Sequence, residues 1–211
     1  APLTINGNEF ADVGRGAIST QDFVDASIAN NTIYKTTDDF GYGVEFGSES
    51  TGSITDNTFY GFDTPAASDG SQSAGIYINN AFTNDISSGF TKNVVASGNE
   101  IFDSQLGIAI GNEFAQFAGP VPTVVDLSDN HIHDNSEIGV YISDAGKDVG
   151  SAVTVNANYN EIVDNGISGY RVVTSGNGSI ALHTNGDIIT GNPDGLKLGD
   201  EVDSGTNNSV Y

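Results

Sequence analysis

Three side chains that can transfer protons recur at one position of a repeated phrase. Glu100, His131 and Glu161 each lie between an Asn and an Ile. If these phrases stack about 4.8 Å apart, the two carboxylates lie about 9.6 Å from each other with an imidazole between them. That separation is near the upper limit for the acid and base of an inverting glycosidase. Alternatively, the carboxylates simply pair with His131 and favour its charged form.

A second set of acidic residues follows the same phrases. Asp103, Asp134 and Asp164 are predicted to form a row of carboxylates along one axis. Like charges about 4.8 Å apart repel, and a hard divalent ion with oxygen ligands relieves that repulsion, so the row is a candidate Ca²⁺ site. A solvated row without an ion is the alternative, because a fourth ligand is missing. The Gly-Gly-x-Gly-x-Asp and EF-hand calcium signatures are absent, and the residues indicate no other cofactor.

A third set favours carbohydrate binding. Tyr77, Tyr141, Arg171 and Lys197 occupy matching positions of a second phrase, in which Gly precedes alternating apolar residues. Aromatic rings stack on sugar faces and cations pair with carboxylates. The alternative is an ordinary solvated strand face on which Tyr is a good strand former.

These candidates depend on a repeat that runs along the whole chain. The first phrase is Asn, any residue, then Ile or Phe, and it begins at Asn8, Asn31, Asn57, Asn99, Asn130 and Asn160, with Gly186-Asp187-Ile188 as a degenerate seventh copy. The second phrase begins at Gly16, Gly43, Gly75, Gly107, Gly139, Gly169 and Gly195. A third apolar strip, such as Val153-Thr154-Val155, precedes each first phrase. Each repeat therefore contains three short strands of period two.

A three-residue strand cannot bury one face alone, so the repeats must stack. We predict an all-β parallel β-helix of about seven coils over residues 1–198, followed by an acidic polar tail over 199–211. The predicted inner column is Phe10, Ile33, Phe59, Ile101, Ile132, Ile162 and Ile188. The recurring Asn is expected to form a side-chain ladder along the axis, and the recurring Gly to provide a turn conformation.

The phrases resemble those of the right-handed parallel β-helix proteins of the pectate-lyase-like superfamily, whose coils often have the pattern N-x-I-x-x-N-x-x-G-I. Residues 130–140 fit that pattern closely. The resemblance implies the fold, but it leaves activity open, since members include lyases, hydrolases, epimerases, adhesins and scaffold domains.

One fragment, Tyr60-Gly61-Phe62-Asp63, is similar to part of the Tyr-Gly-Phe-Asp-Pro-His motif of mannuronan C5-epimerases. The resemblance carries over only Tyr60 and Asp63, because Thr64-Pro65 replaces the Pro-His that ends the motif. If the chain is an enzyme, an epimerase or lyase acting on alginate or another polyuronate, the candidate catalytic residues are Tyr60, Asp63, His131, His133 and Arg171.

Charge limits the partners. The chain has 211 residues, 6 Lys and Arg against 28 Asp and Glu, and a formal net charge of -22. So few cations exclude a phosphate-binding footprint for nucleic acid, and no apolar run is long enough for membrane insertion. A polyuronate would also meet a surface of its own sign unless calcium bridged the two. The chain has no Cys, which excludes disulfides.

The polar insertions at 63–74, 79–92 and 113–122 are candidate groove walls, or alternatively surfaces that pack on a partner.

No helical period precedes Ile5 to cap the first coil, which indicates either a piece of a longer protein or head-to-tail pairing of copies. We therefore expect an extracellular or cell-surface domain with a structural or carbohydrate-binding role. Its expected partners are a polysaccharide, other copies of itself, or a parent surface protein. A polysaccharide-active enzyme and a polymerising filament subunit are the alternatives.

Overall fold

The computed structural model describes residues 2–22, 24–67, 71–79, 90–111, 121–144, 152–174 and 178–199, and every regular element within them is a β-strand. The strands form three sheets of seven strands each, and every pairing is parallel. The chain passes through the first, second and third sheets in turn and then returns to the first. This all-β solenoid with three short strands per coil confirms the predicted fold class.

The first sheet contains β1 (Leu3–Asn6), β4 (Asp25–Ala29), β7 (Thr51–Thr55), β10 (Lys92–Ser97), β13 (Thr123–Ser128), β16 (Ala152–Asn158) and β19 (Ser179–Asn185). The second contains β2 (Glu9–Ala11), β5 (Thr32–Tyr34), β8 (Thr58–Tyr60), β11 (Glu100–Phe102), β14 (His131–His133), β17 (Glu161–Val163) and β20 (Ile188–Thr190). The third contains β3 (Gly16–Thr20), β6 (Tyr42–Phe46), β9 (Ala74–Ile78), β12 (Leu106–Ile110), β15 (Ile138–Ser143), β18 (Ser168–Val173) and β21 (Asp194–Leu198). Residues 200–211, most of the predicted tail, lie outside the described part of the chain.

Apolar side chains from all three sheets fill the interior of the solenoid. In the second sheet the middle residue of each three-residue strand points inward, because side chains alternate between the two faces of a strand. Phe10, Ile33, Phe59, Ile101, Ile132 and Ile162 lie in one register, as predicted.

The last coil departs from the prediction by one residue. Ile188 is 58% exposed and pairs with Glu161, whereas Ile189 pairs with Ile162 and continues the inner column. The expected inward position of Ile188 was therefore wrong. Gly186, at a φ of 72°, occupies the turn that precedes the Asn position, and Asp187 takes the Asn position itself. A shift of one residue moves every side chain of a strand to the opposite face.

Asn side chains, all of them buried except that of Asn8, form the ladder that the sequence predicts. We call Asn8, Asn31, Asn57, Asn99, Asn130 and Asn160 the first ladder. Each donates from its backbone N and its Nδ2 to Oδ1 of the next member, at 2.9–3.1 Å. Oδ1 of Asp187 accepts the same two bonds from Asn160. Nδ2 of the inner members also donates to a carbonyl of the first sheet in the preceding coil, as Asn99 does to Ile54.

A second ladder lies at the next turn, and the sequence analysis missed it. Asn135 donates from N and Nδ2 to Oδ1 of Asn165 at 3.2 and 2.8 Å, and Asn165 donates likewise to Asn192 at 2.9 Å. The N–H of Ser104 donates to Oδ1 of Asn135. The buried Asn side chains at the two turns that flank the second sheet are thus paired, as burial requires.

The glycines that begin the second phrase, whose strands form the third sheet, allow neighbouring coils to pack closely. We expected them to adopt a turn conformation, and this was wrong: Gly43, Gly75, Gly107, Gly139 and Gly169 do not have positive φ. A Cβ at Gly107 would lie 2.5 Å from Cγ2 of Ile132 and 2.6 Å from the carbonyl oxygen of Gly139. Glycine is required because the inner column of the next coil occupies that space.

Replacing Gly107 by Ala is therefore expected to lower the free energy of unfolding by about 2–3 kcal/mol, because an added methyl overpacks the core. Gly195→Ala is the matched control, since a Cβ there would meet Cγ2 of Ile189 at an ordinary 3.8 Å. Its cost should stay within about 0.5 kcal/mol. Urea unfolding followed by circular dichroism measures both. Equal losses in the two variants would contradict the packing explanation.

Candidate functional site

The outer face of the second sheet carries two columns of side chains. The first and third residues of each three-residue strand point outward, because the middle residue is buried. One column contains Glu9, Thr32, Thr58, Glu100, His131, Glu161 and Ile188, and the other contains Ala11, Tyr34, Tyr60, Phe102, His133, Val163 and Thr190. The predicted candidates Tyr60, His131 and His133 therefore share one face. His131 lies between Glu100 and Glu161 in register, as predicted, while their acid and base roles stay a prediction.

Four rings of the second column are stacked, and we call Tyr34, Tyr60, Phe102 and His133 the aromatic column. Their centroids are 4.9, 5.1 and 5.2 Å apart in turn, and the planes of neighbouring rings differ by 3°, 9° and 13°. Because each ring covers the face of its neighbour, the column presents ring edges to solvent. It forms a half-buried apolar wall along the axis.

An acidic groove lies beside this wall, at the turn that follows the second sheet. Its volume is about 380 Å³, and its lining residues are Lys35, Thr36, Thr37, Asp38, Gly61, Asp63, Asp103, Asp134 and Ser136. The predicted catalytic residue Asp63 and the predicted calcium ligands Asp103 and Asp134 thus face one space. They come from neighbouring coils, so their carboxylates follow the axis.

The cation of the groove is turned away from these carboxylates. Nζ of Lys35 donates to Oδ1 of Asp39 at 2.6 Å and to the carbonyl oxygen of Phe40 at 3.2 Å. The Lys35 side chain is only 1% exposed. The hydrogen bond from Nζ of Lys35 lowers the pKa of the Asp39 carboxyl group. The groove therefore presents carboxylates and hydroxyls.

The backbone conformation explains why Asp recurs at positions 103, 134 and 164. Their φ angles are 48°, 52° and 54°, in the left-handed region. Asp tolerates this region because its short polar side chain bonds locally, and Gly61 and Gly191 occupy it in other coils. Asp164 does not line the groove. Calcium binding by the three residues stays a prediction.

A compact group of possible metal ligands lies on the outer face of the second sheet. Within the described ranges, Glu100, His131 and His133 bring one ligand atom each to within 4.8 Å of one another. Oε1 of Glu100 lies 3.9 Å from Nε2 of His133, and Oδ2 of Asp134 lies 2.8 Å from Nδ1 of His133. This group was missed because the spacing placed Glu100 beside His131 but did not indicate that a ligand atom of His133, two residues further along the same strand, lies close to both.

The predicted carbohydrate-binding residues lie in register on the third sheet, in the order Tyr77, Ala109, Tyr141, Arg171 and Lys197. The Tyr141 side chain is mostly covered, since the residue is 6% exposed, and it packs with Tyr77 in a second apolar cluster. Nζ of Lys197 lies 3.7 Å from Oδ2 of Asp194. Tyr77 and Tyr141 line a small pocket of about 30 Å³ together with Tyr42. The binding role of the column stays a prediction.

The five candidate catalytic residues are only partly brought together. Tyr60, His131 and His133 lie on the second sheet and Asp63 follows it, whereas Arg171 lies on the third sheet. Of the predicted groove-wall insertions, residues 68–70, 80–89 and 113–120 lie outside the described part of the chain.

A family model described as a right-handed β-helix region matches residues 1–192. No curated protein and no solved structure matches the chain. Among the described residues, no helix has the length and apolar character needed to cross a membrane.

Proposed function

We propose that this chain, which belongs to the right-handed β-helix family, is an extracellular structural domain whose acidic groove binds a neutral polysaccharide. The observation that carries the proposal is the groove of about 380 Å³ that follows the solenoid axis beside the aromatic column. In this proposal the domain is part of a larger surface protein or assembly.

The groove has the chemistry that sugar hydroxyls require. Asp63, Asp103 and Asp134 provide carboxylate acceptors from successive coils, and Thr36 and Ser136 add hydroxyls. Hydrogen bonds from hydroxyls to a charged carboxylate are stronger than bonds between neutral groups. A lining drawn from four coils is about 14 Å long at 4.8 Å per coil, enough for several sugar units lying along the axis.

Charge selects the class of polysaccharide. The groove is lined by four Asp residues, its Lys35 is already bonded to Asp39, and the whole chain carries -22. A polyuronate would be repelled by this field, whereas a neutral glycan would not. Neutral polysaccharide is therefore the better partner in the absence of calcium.

The test is calorimetric titration in EDTA with cellohexaose, xylohexaose and mannohexaose, and with oligogalacturonate and oligoguluronate in parallel. At least one neutral oligosaccharide should bind and the acidic ones should not. The double variant Asp63→Asn, Asp103→Asn should weaken binding at least about tenfold, because two charge-assisted acceptors are lost. Asn is compatible with the left-handed backbone at Asp103, so the fold is preserved.

Asp126→Asn is the matched control. Asp126 is an exposed acid of the first sheet that bonds Asn156. Its replacement should leave affinity unchanged. The proposal fails if the double variant binds like the unaltered protein, or if only the acidic oligosaccharides bind and only when Ca²⁺ replaces EDTA.

A second candidate function is an enzyme that acts on acidic polysaccharide. The observation that favours it is the placement of Tyr60, Asp63, His131 and His133 on one side of the solenoid, although Arg171 lies on another sheet. Incubation with alginates and pectins, with and without calcium, would reveal new unsaturated ends or a changed epimer ratio. Turnover that disappears in His131→Ala would support this function over pure binding.

A further inference from the structure

Glu100, His131 and His133 form a group that the proposed groove does not use. Their ligand atoms lie within 4.8 Å of one another on the outer face of the second sheet. We propose that these three side chains bind a divalent transition metal ion, with Zn²⁺ as the best fit, independently of any glycan in the groove.

Asp134 orients the His133 ring for metal binding. Its Oδ2 lies 2.8 Å from Nδ1 of His133. A carboxylate acceptor at that distance holds the proton on Nδ1, which leaves the lone pair of Nε2 available to a metal. A carboxylate bonded to the far nitrogen of a ligating His is the usual outer-shell partner of zinc sites.

The Nε2 atom of His133 is itself unsatisfied. It is buried and has no hydrogen-bond partner, while Oε1 of Glu100 lies 3.9 Å away. Buried nitrogen atoms are nearly always paired, so an unpaired one beside a carboxylate indicates a missing partner. A cation between Nε2 and Oε1 would satisfy both atoms.

The group is held by regular structure on two sides. Glu100 and His131 are direct neighbours in the pairing of β11 with β14. The ring of His133 is stacked on Phe102 at 5.2 Å and lies 4.2 Å from the ring of His131. Zinc to nitrogen bonds are about 2.0–2.1 Å long, so binding needs a contraction of about 1 Å between ligand atoms, which side-chain rotation provides without moving the strands.

The donor set selects the metal. Two imidazoles and one carboxylate suit zinc and neighbouring transition metals, whereas calcium and magnesium prefer oxygen ligands alone. The carboxylates of Asp103 and Asp134 in the adjoining groove raise the local concentration of any cation. Three protein ligands leave a fourth position of the tetrahedron open to water.

The test is Zn²⁺ titration by calorimetry on the full chain, freed of any polyhistidine tag. One Zn²⁺ should bind per chain, His133→Ala and His131→Ala should each lower affinity at least 100-fold, and Asp134→Asn should lower it about 10- to 100-fold. His183→Ala is the control, because His183 is exposed on the first sheet and should not matter. Circular dichroism checks that each variant is folded.

X-ray absorption at the zinc edge of the unaltered protein tests the site without any variant. The expected result is a shell that contains two imidazole nitrogen atoms at about 2.0–2.1 Å. No stoichiometric binding, a shell of oxygen atoms alone, or an equal loss in His183→Ala and His133→Ala would overturn the proposal. Glycan binding is measured in EDTA, so failure here leaves the groove proposal standing.

Discussion

Replacing Asn99 by Ala is expected to lower the free energy of unfolding by about 3–5 kcal/mol, because each buried polar group left unpaired costs about 1–3 kcal/mol. Oδ1 of Asn99 accepts from N and Nδ2 of Asn57 at 3.0 and 3.1 Å. Its Nδ2 donates to Oδ1 of Asn130 at 3.0 Å and to the carbonyl oxygen of Ile54 at 2.8 Å. Alanine would remove the acceptor of the buried Asn57 backbone N–H and the side-chain donor to the Ile54 carbonyl. Nδ2 of Asn57 would keep its bonds to the carbonyl oxygens of Ile28 and Thr55.

Asn8→Ala is the matched control for this substitution. Asn8 is exposed and donates from N and Nδ2 to Oδ1 of Asn31. Water can replace its partners, so the loss should be about 1 kcal/mol or less. Urea unfolding of both variants decides the matter. A similar loss in both would show that the first ladder adds little to stability and that the apolar core alone holds the coils together.

The second large effect concerns Lys92, which is fully buried at the start of β10. Its Nζ donates to the carbonyl oxygens of Phe46, Ser48 and Asn79 at 2.6, 3.0 and 2.6 Å. Burial lowers the pKa of Lys92 to about 7, and the Glu45 carboxylate acts in the opposite direction. The unfolded chain, with a Lys pKa near 10.5, then binds more protons than the folded chain between pH 7 and pH 10.5.

Stability should therefore rise with pH through this window, by about 2 kcal/mol between pH 7 and pH 9. Lys92→Met should remove that rise. It should also lower stability by about 3 kcal/mol at pH 7, because three carbonyls lose their donor. Urea unfolding at both pH values measures the two effects. A stability of the unaltered protein that is flat from pH 7 to pH 9 would mean that the three carbonyls keep Nζ charged.

The fold could be predicted because its determinants are local and repeated. An Asn and an inward Ile or Phe at constant spacing identify the second sheet of each coil, and the Gly phrase identifies the third. The register of the last coil was predicted wrongly because Gly186 was aligned with the recurring Asn. Asp187 takes that position instead, since Oδ1 of its carboxylate accepts the two bonds from Asn160 as an amide oxygen would.

The candidate site was only partly predictable because it joins residues from different coils. Outward positions on a short strand can be read from alternation, so Tyr60, His131 and His133 could be placed on one side. Stacking of Tyr60 on Phe102 depends on ring orientation, which no spacing encodes. The recurrence of Asp103 and Asp134 was explained by cation binding alone. Their positive φ angles, which give a backbone reason for Asp at these positions, cannot be read from the sequence.

The chain's acidity also has a partly structural origin. Asp12, Asp56, Asp103, Asp129, Asp134 and Asp164 all have positive φ. Asp and Asn tolerate that backbone better than other side chains with a Cβ. Selection for the turns thus also produces two of the four carboxylates that line the groove, those of Asp103 and Asp134.

The most direct test of the central claim is amide chemical-shift mapping by NMR, with the neutral oligosaccharide that binds best as the probe. We expect shifts confined to residues 36–38, 61–63, 103 and 134–136, around the groove. Shifts centred on Tyr77, Tyr141 and Lys197 of the third sheet would contradict it, as would the absence of shifts with every neutral oligosaccharide of the panel.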